Sequence, residues 1–162
     1  MVNDFYTFIQ GCIPDYSKAF PFYKHHLYLL SFSKDQLRLK ENIPDYFSYV
    51  ETQASFGHSC TIMVDNQPHL IFGFFQLYHN VYECWMIFDG KTKRYSIPFL
   101  KSTKRIFDKI PDFLTIKRLQ MYILSSNPTN IRYAKYAKFQ NEGLLRSYGP
   151  DGSDYNIYAR IY

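Results

Sequence analysis

Apolar and polar positions alternate most clearly near the C-terminal third of the chain. Leu119, Met121 and Ile123 are interleaved with Gln120, Tyr122 and Leu124, the period-two pattern of a strand with two different faces. Three further runs read as strands: Cys60–Val64, Leu70–Leu77 with Gly73 inside it, and Val81–Phe88. Asp65-Asn66-Gln67-Pro68 and His79-Asn80 supply turns between them and Asp89-Gly90 ends the last, which predicts an antiparallel meander. The pattern then changes period. Phe99, Thr103, Ile106, Phe107 and Ile110 fall on one helical face, with Ser96 as N-cap, Pro98 tolerated in the first turn and Pro111 as the stop.

Upstream, Ser33 caps a helix running through Leu39. A second helix starts near Pro44 (PDYFSYVETQASF), with Phe47, Val50, Ala54 and Phe56 on one side. Leu27–Phe32 (LYLLSF) reads as a short buried strand, and Phe5–Ile9 as an amphipathic helix followed by a loop around Pro14 and Pro21. Downstream, Asn127 caps a helix with Pro128 at its first position, and Gly143 turns the chain out of it. Two last strands, Leu144–Tyr148 and Tyr155–Arg160, flank the turn Gly149-Pro150-Asp151-Gly152. The expected architecture is α/β, in detail an α+β mixed sheet: a meander, a strand–helix–strand crossover and a C-terminal hairpin, with helices on both faces.

Composition narrows the class. The 162 residues suit one domain, with residues 1–26 the least defined part, and 46% hydrophobic content suits a packed core. The aromatic share of 20% fits an AT-rich coding sequence and by itself implies no aromatic function. The net charge of +5 is unevenly placed: the segment 91–118 holds nine Lys and Arg against Asp108 and Asp112, so the remainder is slightly acidic. Such a segment attracts phosphate, although a solvated helix face explains any one of its lysines. Cys12, Cys60 and Cys84 make neither a disulfide framework nor a zinc spacing and read as free thiols of a reducing compartment. MVNDFYTFIQ lacks the basic start and apolar run of a signal peptide, and LIFGFFQLY is far short of the ~20 residues that span a bilayer. A soluble intracellular protein without a membrane partner is the expectation.

Several pairs invite chemistry and have plainer explanations. His25 and His26 are adjacent, so on a strand they point to opposite faces and cannot chelate one ion. His58 and Cys60 would share a strand face, as a base and nucleophile would, but no third orienting group accompanies them and a buried structural Cys is commoner. KRLQMYILSS interleaves aromatic and basic residues as single-stranded nucleic-acid sites do, yet its alternation describes a core strand, and no nucleic-acid signature appears.

The segment SSNPTNIRYAKYAKFQNEG, Ser125 to Gly143, carries more information. Asn127, Phe139, Glu142 and Gly143 stand at the spacing found in the GNAT acyltransferase superfamily, which this segment resembles, and LLRSYGPDGSDYNIYARI resembles that family's last hairpin. Trp85 through Phe139 is similar to one branch, the GNAT-like proteins of short-tailed bacteriophages, in its Trp-containing fourth strand and in a loop with Thr, Arg and Pro where other members have glycines. The resemblance covers roughly residues 60–160.

The resemblance implies an N-acyltransferase that binds acetyl-coenzyme A where the fourth and fifth strands splay. Its cofactor-binding residues would be Ile87, Phe88 and Asp89 through their backbone, the loop Lys93, Arg94, Tyr95, Ser96, Ile97 and Pro98 around the diphosphate, and Asn127. It implies a carboxylate base on the fourth strand, Glu83 or, as second choice, Asp89; the plainer reading of Glu83 is an exposed carboxylate with no role. The family's acid is a Tyr five residues before the Phe, where this chain has Ala134, so Tyr133 is the nearest substitute. The Gly before that Phe is Lys138, and KTKRYSIPF lacks the glycines of the phosphate loop. The acceptor would be an amine on a small molecule or a protein, a host defence protein among them. The location would be the cytoplasm, that of the host for a phage-encoded protein. The alternative implied by the same branch is a degenerate fold acting in particle assembly or as a virion component, with phage structural proteins as partners. Nucleic acid is not an expected partner.

Overall fold

The computed structural model describes residues 2–91 and 96–162. The chain runs α1 (Val2–Gln10), β1 (Ser17–Pro21), α2 (His26–Leu29), α3 (Lys34–Asn42), α4 (Tyr46–Ser55), β2 (Gly57–Val64), β3 (Gln67–Tyr78), β4 (Val81–Phe88), α5 (Ser96–Lys109), β5 (Arg118–Leu124), α6 (Pro128–Tyr136), β6 (Gln140–Leu145) and β7 (Tyr155–Ile161). Among the described residues, seven strands form one mixed sheet in the order β1-β2-β3-β4-β5-β7-β6. All neighbours are antiparallel except β4 and β5, which the crossover helix α5 joins in parallel.

Local chemistry sets the joints. Asp65 and Asn66 both adopt left-handed conformations (φ 50° and 60°), the two-residue turn whose twist matches a hairpin, so β2 and β3 pair from Val64↔Gln67 onward. Ser33 and Gln36 form a reciprocal capping box at the start of α3. Asn127 accepts the Asn130 N–H at 2.9 Å and starts α6 with Pro128 behind it. Lys138 closes α6 at φ 66°, the left-handed position a glycine would take most easily.

The two faces of the sheet bury different clusters. One face packs α1, α5 and α6 over Cys60, Phe72, Phe74, Leu119, Met121 and Ile123, with Phe99, Ile106 and Phe107 of α5 and Ile110 of the 3-10 turn that follows it supplying the expected helix face. The opposite face packs Leu27, Leu30, Tyr46 and Val50 over Ile71 and Ile87, with Trp85 at the margin. Gly73 sits opposite Trp85 on β3, and a Cβ there would come within 2.7 Å of the indole nitrogen. α3 contributes no buried residue to either cluster.

Four readings of the sequence are corrected. LYLLSF is not a strand: its first residues form α2, because Leu27 and Leu30 are buried while Tyr28 and Leu29 face solvent, a helical spacing of three. The segment before Pro21 is not a loop but an edge strand, β1, where proline costs no ladder hydrogen bond. The sixth strand starts at Gln140, earlier than Leu144, and Gly143 lies inside it beside a register shift, not in a turn. Phe56 is exposed beyond the end of α4.

Candidate active site

β4 and β5 are paired at only three positions, Val81↔Arg118, Tyr82↔Leu119 and Glu83↔Gln120. Beyond that point β4 stays on β3 as far as Leu70↔Phe88, while β5 stays on β7 as far as Leu124↔Tyr155. The two parallel strands therefore fork, with Glu83 and Gln120 as the last pair before the opening.

The hydrogen-bond phase of β4 decides which backbone groups face the fork. Asp89 N–H donates to the His69 carbonyl at 2.9 Å, so Asp89 faces β3. Alternation along an antiparallel pair then turns Ile87 and Trp85 to β3, and Met86 and Phe88 to the fork. Of the three backbone residues expected at a cofactor edge, only Phe88 presents its groups there, and its carbonyl accepts the Gln36 side-chain amide of α3 at 3.1 Å. Ile87 and Asp89 face away. Met86, which the sequence reading missed, faces the fork. The Asp89 carboxylate accepts the Ser31 N–H at 2.8 Å, a structural tie.

Glu83 is half-buried on the face of β4 shared with Trp85 and Ile87. Burial pushes its carboxyl up to about 7, while a hydrogen bond from Gln120 pulls it down. The buried Gln120 is itself oriented: its oxygen accepts Arg118 Nε at 3.1 Å and its nitrogen donates to the Tyr122 hydroxyl at 3.1 Å. Arg118 is held in a two-pronged pair with Glu142 at 3.0 and 2.6 Å. A half-buried carboxyl with a pKa about 7 at the crotch of a strand fork can take a proton from a nucleophile at neutral pH.

Tyr133 lies on the other face, between α6 and α5. Its hydroxyl bonds to Thr103, whose own hydroxyl reaches the Phe99 carbonyl at 3.0 Å. Burial pushes the phenol above its ordinary range, against the Thr103 hydrogen bond. It stays protonated through neutral pH and is a weaker acid than a free tyrosine. The structure thus places Glu83 and Tyr133 on opposite sides of the sheet.

At the start of α5, Lys93, Arg94 and Tyr95 lie outside the described residues. Ile97 is exposed, and the first-turn N–H groups of Ser96 and Ile97 have no acceptor within their own helix; Pro98 has no N–H to offer. Beside this turn is a groove of about 310 Å³ lined by Pro14, Ile97, Pro98, Lys101, Ser102 and Arg105. A helix start with two cations one turn further along suits an anionic phosphate group. Asn127 caps α6, and its amide nitrogen donates to Asp35 of α3 at 2.6 Å, so its side chain is engaged at both ends.

The remaining chemical pairs are structural. His26 is in α2 and buried; its Nδ1 faces the Thr61 hydroxyl at 2.8 Å, and burial with His25 beside it lowers its pKa to about 4. Stability is expected to fall as pH drops from ~6.5 towards 4, because the unfolded chain takes up that proton more readily. His58 packs against Phe5 and Phe113, and the buried Cys60 thiol is pushed up, so the two make no base–nucleophile couple. Among the described residues, no group of three or more His, Cys, Asp or Glu could hold a metal ion, and no helix is long and apolar enough to cross a membrane.

No protein-family model and no curated protein matches the sequence. Solved structures do match. RimL, a ribosomal L7/L12 alpha-N-protein acetyltransferase in complex with coenzyme A, superposes with a TM-score of 0.70 at 16% identity, over 92% of this chain and 96% of that one. A GNAT-family acetyltransferase from Bacillus anthracis gives 0.68 at 13%, over 91% and 95%. The Microcin C7 self immunity acetyltransferase MccE, in complex with acetyl-CoA and AMP, gives 0.69 at 17%, over 92% and 94%. The chain has the fold of the GNAT acetyltransferases.

Proposed function

We propose that the protein is an N-acetyltransferase that binds acetyl-coenzyme A in the β4/β5 fork and acetylates an amine. The observation that carries this reading is Glu83, a half-buried carboxyl with a pKa about 7 standing where the parallel strands part. The groups present fit the cosubstrate: the Met86 backbone offers a strand edge to a pantetheine-like arm, and the start of α5 with Lys101 and Arg105 suits its phosphates. The fold neighbours that hold coenzyme A or acetyl-CoA support the same assignment.

Bound acetyl-coenzyme A supplies an activated thioester and a thiol leaving group. The chain's own residues do the rest. Glu83 removes the proton that the amine nitrogen loses as it forms the amide bond, while Gln120 keeps the carboxylate aimed at the fork. Backbone N–H groups on the open β4 edge stabilise the carbonyl oxygen as charge develops on it. Tyr133 donates towards the departing sulfur only on releasing its bond to Thr103, and with its raised pKa it then polarises more than it protonates. Ile87, Asp89 and Asn127 support this site by fixing β4 on β3 and α6 on α3.

A non-catalytic role in phage particle assembly is the second reading. It draws support from a loop without glycines and from the Tyr133 hydroxyl bonded to Thr103. Under the first reading, a phage-encoded enzyme would act in the host cytoplasm. Calorimetric titration of acetyl-coenzyme A separates the readings: saturable heat is expected, and its absence at high micromolar protein favours assembly. Reversing Lys101 and Arg105 together to Glu is expected to weaken that affinity by about tenfold or more. An unchanged affinity would move the phosphate site away from α5.

A further inference from the structure

Above Glu83, on the face away from α5 and α6, the sheet is walled by tyrosines drawn from four separate elements. Tyr122 on β5 meets Tyr148 at a tilt of 33°, 4.9 Å between ring centroids, and Tyr148 meets Tyr155 of β7 edge-on at 5.8 Å. Tyr46 and Tyr49 of α4 stand parallel at 6.5 Å. Burial first, then Tyr122, and to a smaller extent Glu83 and Tyr49 push the Tyr148 phenol up, so Glu83 and Tyr49 both belong to its surroundings. Tyr49 and Tyr148 are 49% and 51% exposed, so these two rings border the way in.

The far end of this bay is closed. α3 crosses the mouth of the fork and ties to all of its sides: Gln36 to the Phe88 carbonyl on β4, Asp35 to Asn127 after β5, and Arg38 to Asp151 in the loop before β7. An extended peptide threading along the sheet would meet α3. Arg38 and Arg118 on this side are both ion-paired, and Glu83 adds a carboxyl at the base of the bay.

We infer that the acceptor is a compact primary amine carried by a short chain on an aromatic ring, its ring held among Tyr49, Tyr122 and Tyr148 and its amine at Glu83. This deepens the acetyltransferase reading and rests on it. Ring stacking and the attraction of an ammonium to phenol faces favour such a molecule over an aliphatic polyamine, and an anionic acceptor would be repelled by Glu83. In this reaction the nitrogen gains the acetyl carbon, the thioester C–S bond breaks with its electron pair leaving on sulfur as the thiolate, and the amine proton passes to Glu83.

The test measures thiol release from acetyl-coenzyme A with 2-phenylethylamine, spermidine and a seryl peptide with a free N-terminus. kcat/KM for 2-phenylethylamine is expected to exceed the other two by at least about tenfold. Tyr148→Ala is expected to raise KM for 2-phenylethylamine by about tenfold, with acetyl-coenzyme A affinity within about twofold and with rescue by Tyr148→Phe. Equal or better use of spermidine or the peptide, or an unchanged KM in Tyr148→Ala, overturns the inference and leaves the acetyltransferase reading standing. Failure of acetyl-coenzyme A to bind at all overturns both.

Discussion

Glu83→Gln is expected to lower turnover by about 10²–10⁴-fold while leaving acetyl-coenzyme A affinity nearly unchanged. The amide has the size of the carboxyl and can still bond to Gln120, so geometry is kept and only the proton acceptor is lost. The wild-type pH profile should rise through about 7 as Glu83 ionises, and the variant's residual rate should lack that rise. Stability should move the opposite way. The carboxyl is harder to ionise folded than unfolded, so between ~4.5 and about 7 the folded chain binds more protons and stability declines as pH rises. Thermal unfolding at pH 5.5 and 8.5 would show a smaller difference in Glu83→Gln than in the wild type. A variant with full turnover would assign Glu83 to the plain strand carboxylate and remove the base from the mechanism.

The elements that could be read in advance are those whose two faces differ chemically. β5 has Leu119, Met121 and Ile123 in the core and Gln120 and Tyr122 over the fork, so its alternation was visible. α5 was visible because Phe99, Ile106 and Phe107, continued by Ile110 in the turn after it, fill one buried stripe against a more polar basic face. LYLLSF misled because a short apolar run fits a strand or a helical turn equally well. β1 and β6 are edge strands whose SKAFP and QNEGLL carry no alternation strong enough to see. Of the candidate site, the fork was expected from the resemblance alone, which also named Glu83 as the carboxylate on the fourth strand. The orientation of Met86 against Ile87 depends on the phase of β3, and the Gln36–Phe88 contact joins residues 52 apart, so neither leaves a local signal. The tyrosine bay was hidden by composition: in a chain with 16 Tyr, no single one stands out until loop 146–154 is folded over β5.

Proline placed at two adjacent positions should separate the edge of β4 that holds the sheet from the edge that faces the fork. Ile87 turns its N–H to β3, opposite Ile71, and its side chain is buried, so Ile87→Pro removes a ladder bond inside the sheet. A cost of about 3 kcal/mol or more is expected, which for a chain of this size lowers Tm by about 6–12 °C. Met86 turns its N–H to the opening, where β5 has already left, so Met86→Pro should keep the fold and lower Tm by no more than a few degrees, as at an edge strand. Its effect should appear in binding: with the N–H gone and a ring in its place, acetyl-coenzyme A affinity is expected to fall by about tenfold. Equal destabilisation by the two prolines would mean that the Met86 N–H is already bonded within the protein. The fork would then have no free β4 edge for a ligand to join, and the binding site would have to be sought elsewhere on the fold.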